Sequence, residues 1–372
     1  MAHPVRGRLV LDDSVVAGRV HVEDGQIVAI EPDDAERNGP FIAPGFVDLH
    51  VHGWGGYDAM GSRAELDGMA RALLRHGVTS FLPTAVTAGL GALQAFAERV
   101  RAWMPGAPGD GAEPLGFNIE GPFISPHRKG AHDPAFIAVP ARATPEWLLR
   151  LLPGLRVMTV APEIDGGLEL VRWLAANGIV ASLGHSAATL DEARAGYAAG
   201  ARSTTHLFNA MSGIDHRAPG LAAAALLDDA VYVELIADGH HVHPSLWPMV
   251  ARMKPADRLV LVSDALPLAG KGDGRTAIGG LNVDVLGGRA TLVGTDTLAG
   301  TVIALDSAVR NLVGAGLALP AAVAAASRDP LRLLGVVDRG RIAVGQRADL
   351  VELDDQLEVL RVARDGEWIS PR

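Results

Sequence analysis

Three observations predict the fold. Eight short apolar runs alternate with helix-start signals between residues 46 and 264, both ends of the chain are β-rich, and imidazoles and carboxylates sit where the apolar runs end. Together they predict an α/β chain: a (β/α)8, TIM-like barrel carrying a small β-sandwich domain built from both chain termini. The expected division is 1–46 plus 335–372 for the β domain and 47–334 for the barrel. The length of 372 residues exceeds one ordinary compact domain but suits a barrel with an accessory piece.

Taken in order, residues 1–44 read as short strands. In RVHVEDGQIVAIEP (19–32) a polar turn at Asp24-Gly25 separates two alternating runs, a hairpin signal. The barrel-strand candidates follow: FVDLHVH, GVTSFLPT, LGFNIE, RVMTVAPE, IVASLGH, RSTTHLF, VYVELIAD and RLVLVSD. Between them, Ser62-x-x-Glu65 and Thr189-x-x-Glu192 are capping boxes, and Thr144-Pro145 places proline at a first helical position. Alternation alone also allows a doubly wound sheet. LVGAGLALPAAVAAAS (312–327) is too short for a bilayer span of ~20 residues and is broken by Gly314, Gly316 and Pro320, so it reads as buried helix. The glycine-rich AGKGDGRTAIGGLNVDVLGG (269–288) lacks a GK[ST] ending, which argues for two hairpins or a mobile flap over the site rather than a phosphate loop. RIAVGQRADLVELDDQLEVLRVARDGEWI closes the chain with strand-like runs around Gly345 and Asp354-Asp355.

Composition bounds the chemistry. Hydrophobic residues make up 48%, enough for a large core, and a net charge of −10 argues against nucleic-acid or anionic-membrane partners. There is no cysteine, so a metal here must be held by imidazole and carboxylate. The N-terminal MAHPVRGRLVLDD lacks a signal-peptide core, and a cytosolic protein is expected.

His50 and His52 end the first run on one strand face. Glu120 ends the third, His185 the fifth, His206 the sixth and Asp264 the last. Singly, each has a plain structural explanation: a hydrogen-bonded histidine, a loop acid, a helix cap. In a barrel, however, these strand ends converge on one rim, the rim that carries active sites. The set suits Zn²⁺ or Fe²⁺ with coordination positions left for water. Such an ion lowers the pKa of water towards ~7. A carboxylate not fully committed to the metal then takes the proton and passes it to the leaving group, and Asp264 suits that role. The chemistry expected is hydrolysis of an unactivated bond such as an amide.

These residues resemble the amidohydrolase superfamily and, within it, the N-acetylglucosamine-6-phosphate deacetylases. The likeness spans essentially the whole chain: APGFVDLHVHG (43–53), NIEGPFISPHRKGAHD (118–133), SLGHS (182–186), THLFNAMSGIDHRAPG (205–220), LIADGHHV (235–242), LVSDA (261–265) and GRIAVGQRADLV (340–351). No lysine ends a strand, so the resemblance gives Glu120 the bridging role that a carbamylated lysine fills in many binuclear members. It implies that Glu120, His185 and His206 hold the principal metal, with His50 and His52 forming a second site and one or two ions per subunit. It further implies Asp264 as general base and acid, and His132 on the substrate carbonyl. Asn209 and Ala210 (by backbone), Arg217 and His241 would bind sugar and phosphate, with part of the phosphate site supplied by the second subunit of a homodimer. His240, His241 and His243 crowd together, and the motif alone selects His241. His127, His216, His76, His21 and His3 read as surface or structural residues.

The activity implied is deacetylation of N-acetylglucosamine 6-phosphate. The galacto epimer is the nearest alternative substrate. A cyclic-amide hydrolase of the dihydropyrimidinase or dihydroorotase type is disfavoured by the missing bridging lysine and by KGAH and HLFNAM. A catalytically dead barrel is disfavoured because every ligand position is filled.

Overall fold

A computed structural model describes residues 4–369. All eight expected barrel strands form: β1 (Phe46–Val51), β2 (Val78–Ala85), β3 (Phe117–Glu120), β4 (Leu155–Val160), β5 (Val180–Leu183), β6 (Ser203–Thr204), β7 (Tyr232–Leu235) and β8 (Leu259–Leu261). Each pairs in parallel with the next. The ring closes just beyond β8, where the amide of Asp264 donates to the carbonyl of His50 and that of His52 to Ala265, both at 2.8 Å. Asp48 adds a side-chain tie by accepting from the amide of Ser263 at 3.3 Å. The result is a nearly closed barrel rather than an open doubly wound sheet.

The helices form where their start signals lie. Ser62 caps helix Arg63–Leu74 and Thr189 caps helix Leu190–Ala198, both with a complete reciprocal capping box, and Thr144 caps Pro145–Leu151. Helix Arg63–Leu74 buries Leu66, Met69, Ala70, Leu73 and Leu74, the i, i+3, i+4, i+7 stripe of a helix lying on a sheet. Alternation along β4 sorts its side chains in the same way. Met158 and Val160 join the main core with Leu170, Val171 and Leu174, whereas Val157 joins a smaller cluster with Leu82, Val180 and Tyr232. Residues Leu331, Leu333 and Leu334 of helix Arg328–Leu334 complete that inner cluster. The 312–327 stretch spans two helices, Leu305–Gly314 and Leu319–Ala326, and no helix among the described residues is long and apolar enough to cross a membrane.

The two ends of the chain share a seven-stranded sheet. Its order is Glu367–Ile369, Val359–Arg364, Leu350–Leu353, Phe41–Pro44, Val5–Val10, Val15–Glu23 and Gln26–Pro32. Asp24 and Gly25 both take positive φ, +48° and +75°, as a tight hairpin turn between twisted strands requires. The run around Gly345 is not a strand. It instead curls against the outer hairpin, with the Ile27 amide donating to Gln346 at 2.9 Å and the Ala348 amide to Gly25 at 2.7 Å. Leu9, Val20, Ile27, Ile42, Leu350 and Ala363 fill the space enclosed. The glycine-rich insert forms two hairpins, Gly274–Ile278, Leu281–Leu286 and Arg289–Leu292, packed through Ile278, Val283 and Val285 on Val86 and Leu266.

Candidate active site

The polar residues at the strand ends converge on one rim. His50 lies within β1 and Glu120 ends β3, while His52, His185, His206 and Asp264 fall one to three residues beyond β1, β5, β6 and β8. Those last three have φ of +46°, +27° and +50°, backbone conformations that side chains other than glycine rarely adopt. Such turns persist where surrounding structure holds them, and they cluster at functional sites. Here the Asp264 backbone is pinned on both sides: its amide donates to His50, and its carbonyl accepts from Thr301, each at 2.8 Å.

Two sets of three side chains bring ligand atoms together: His50, His52 and Asp264, and Glu120, His185 and His206. In the first, the Nε2 atoms of His50 and His52 are 3.2 Å apart and lie 3.6 and 3.3 Å from Asp264 Oδ1. In the second, Glu120 Oε1 lies 3.0 Å from His185 Nε2 and 2.9 Å from His206 Nε2. Glu120 joins the two sets, because its other oxygen, Oε2, is 3.1 Å from His52 Nε2 and 3.5 Å from His50 Nε2. Every one of these side chains is buried. Imidazole nitrogens and carboxylate oxygens without thiolates or lysine form a donor set that fits a zinc- or iron-like divalent ion.

The electrostatics agree with the donor set. Burial pushes the Glu120 carboxyl up, but the charge of His50 and His132 and hydrogen bonds from His132 and His185 outweigh it and hold it well below the usual range. Asp264 is likewise opposed by burial yet held at about 2 by His50 and His52. The imidazoles split. Burial and the neighbouring His132 depress His185 to about 4, whereas carboxylate contacts overcome burial and lift His52 to about 9. Two buried carboxylates thus stay ionised and draw positive charge, which protons or a divalent cation can supply.

Behind the ligand atoms stands a layer of acceptors. His52 Nδ1 donates to the Thr84 carbonyl at 3.1 Å, and His185 Nδ1 to the Arg128 carbonyl at 2.9 Å. His50 Nδ1 faces Glu234 Oε2 at 3.2 Å. His132 Nδ1 donates to Thr87 Oγ1 at 2.6 Å, since the Thr87 hydroxyl proton goes to the Glu120 carbonyl. Sequence reasoning overlooks Glu234 and Thr87. The one signal for Glu234 is an acid in the middle of the apolar YVELIA.

A cavity of about 560 Å³ opens above this floor. His52, Glu120, His132, His185, His206 and Asp264 line it, and so do Asn209, Ala210 and His241. His50 lies beneath, fully buried. Of the crowded trio, His240 and His243 are exposed, and His241 alone lines the cavity, with its Nδ1 2.7 Å from Asp238 Oδ2. His127, expected as a surface residue, also lines the cavity, beside Arg128 and Lys129 on the loop after β3. Arg217 is exposed and is not among the lining residues. His21 and His76 have structural partners, Glu31 and Asp306, and His216 is exposed; His3 lies outside the described residues. The hairpin insert contributes Ile278 and the 296–300 segment follows it into the cavity wall.

Residues 41–369 match the model of the amidohydrolase family. The chain belongs to that family. Among its relatives, an N-acetylgalactosamine-6-phosphate deacetylase of Escherichia coli O157:H7 is 38% identical over all of both chains. An N-acetylglucosamine-6-phosphate deacetylase of Bos taurus is 37% identical, covering 98% of this chain and 90% of that one. Among solved structures, a variant N-acetyl-D-glucosamine-6-phosphate deacetylase of Mycobacterium smegmatis in complex with N-acetyl-D-glucosamine-6-phosphate superposes with a TM-score of 0.90 at 35% identity over 97% of each chain. Amidohydrolases depend on metal, and the two ligand sets are where this chain could bind it.

Proposed function

We propose that the protein hydrolyses the acetamide of N-acetylglucosamine 6-phosphate to glucosamine 6-phosphate and acetate. One observation carries the reading: Asp264 and His132 flank the shared Glu120 on the floor of a cavity whose wall carries Asn209, Ala210 and His241. Whole-chain relatives named as deacetylases of phosphorylated N-acetyl sugars support it. Glu120, His185 and His206 would hold the principal zinc or iron, and His50, His52 and Asp264 a second ion. A bound divalent ion polarises the acetyl carbonyl and lowers the pKa of water to ~7.

The rest falls to the side chains. Asp264, held ionised, accepts the proton of the attacking water and then delivers it to the sugar nitrogen as the carbon–nitrogen bond breaks. His132 approaches the same floor, its Nε2 3.4 Å from Glu120 Oε2. Its Nδ1–H is committed to Thr87, so the ring is held with Nε2 towards the carbonyl oxygen of the acetyl group. Asp238 keeps the proton of His241 on Nδ1 and leaves Nε2 to accept from a sugar hydroxyl. Arg128 and Lys129 add positive charge on that wall of an otherwise acidic protein. Arg217, exposed on its loop, is read as serving the phosphate of the neighbouring subunit in a homodimer. The negative net charge supports a protein that works without nucleic acid or an anionic membrane surface.

The galacto epimer is a second reading favoured by the Escherichia coli relative. The test is kcat/KM for acetate release from the two epimers. A higher value for the gluco sugar supports the proposal, a higher value for the galacto sugar selects the second reading, and no acetate from either overturns both.

A further inference from the structure

Glu234 is buried in β7 and takes no part in the mechanism above, yet one of its oxygens serves both ligand sets. Oε2 lies 3.2 Å from His50 Nδ1 and also accepts the backbone amide of His206 at 3.2 Å. The oxygen that accepts the His206 amide faces Nδ1 as an acceptor, which places the ring proton on Nδ1. A neutral imidazole then presents its lone pair at Nε2, the atom that meets His52, Asp264 and Glu120. The other imidazoles are backed differently. His52 and His185 lean on backbone carbonyls, and His206 Nδ1 is buried without a partner among the described residues. Among the described residues Glu234 is therefore the one carboxylate standing behind a ligand histidine, on the far side from the cavity.

We propose that Glu234 is a positioning residue of the metal centre: it fixes His50 with Nε2 aimed at the His50–His52–Asp264 site, and through the His206 amide it ties that site to the other one. A carboxylate behind a ligating imidazole raises its basicity and fixes its orientation, and losing such a partner weakens metal binding by roughly 10–100-fold. The proposal rests on the reading that the chain holds two ions.

The test is calorimetric titration of the metal-stripped full chain with Zn²⁺, with zinc content measured independently. The unmutated protein is expected to take up two equivalents. Glu234→Met fills the space without an acceptor; its tighter equivalent should keep its affinity, and its weaker one should bind roughly 10–100-fold less well. Glu234→Gln, whose amide oxygen still accepts from Nδ1, should recover most of that loss, a rescue that a purely space-filling role does not produce. Two equivalents at unmutated affinity in Glu234→Met, or equal weakening of both, would overturn the proposal. Should Glu234→Met not fold, nitrogen NMR of the zinc-loaded unmutated protein decides: Nδ1 of His50 protonated supports the proposal, and Nδ1 bare overturns it. A single equivalent in the unmutated protein overturns the two-ion reading itself, and is told apart because no variant is involved.

Discussion

The two ligand sets meet at Glu120 but are built in different ways. His50 near the end of β1 and His52 just beyond it sit at alternate positions and meet through their Nε2 atoms, and Thr84 and Glu234 hold the rings from behind. His185 and His206 follow two successive strands, β5 and β6, each aimed by a left-handed turn, with one ring leaning on a loop carbonyl and the other on no partner among the described residues. In the first set His50 lies fully buried beneath the cavity while His52 and Asp264 line it; all three residues of the second set line it. A scaffold that holds ligands well is not thereby the one that does the chemistry. The account places the essential ion in the less supported set, beside the loop that carries the basic residues.

Variants can break this comparison. Glu120→Ala removes the shared carboxylate and should leave neither ion bound and no acetate release above background, checked by metal analysis and assay together. His185→Ala should do nearly as much damage to turnover while sparing the zinc at His50 and His52, whereas His50→Ala should lose that second zinc and keep measurable turnover. The reverse ranking of these two variants would invert the comparison. Asp264→Asn should lower kcat about 10²–10⁴-fold while zinc at Glu120, His185 and His206 is retained, and substantial residual activity would remove Asp264 from its role. Thr87→Val takes the acceptor from His132 and should slow kcat by up to ~10-fold with little change in KM. The smallest effect on activity is expected far from the rim. Gly25→Ala places a side chain at φ +75° against the Asp365 carboxylate, and should cost about 1–3 kcal/mol in denaturant unfolding with kcat unchanged.

What the sequence reveals follows from which signals are local. The barrel was readable because β4 and its neighbours alternate with capped helices, and Ser62, Thr144 and Thr189 each act within four residues of themselves. Strand ends such as Glu120 and Asp264 were readable because topology alone sends them to one rim. Glu234 was not, because a single acid in an apolar strand gains meaning only from His50, a partner 184 residues away. The cavity-lining place of His127 depends on how the loop after β3 folds back over His185, which no periodicity encodes. The run around Gly345 carries a strand-like pattern but pairs edge-on with a distant hairpin, so its shape was set by tertiary contact rather than by its own residues.

The central claim is that an ion held by Glu120, His185 and His206 drives deacetylation. The most direct measurement titrates metal-stripped protein with Zn²⁺ while following acetate release from N-acetylglucosamine 6-phosphate. No release is expected at the start, and a rise completed by the first equivalent. Full activity in the stripped protein, or a rise that begins only after the first equivalent is bound, would contradict it.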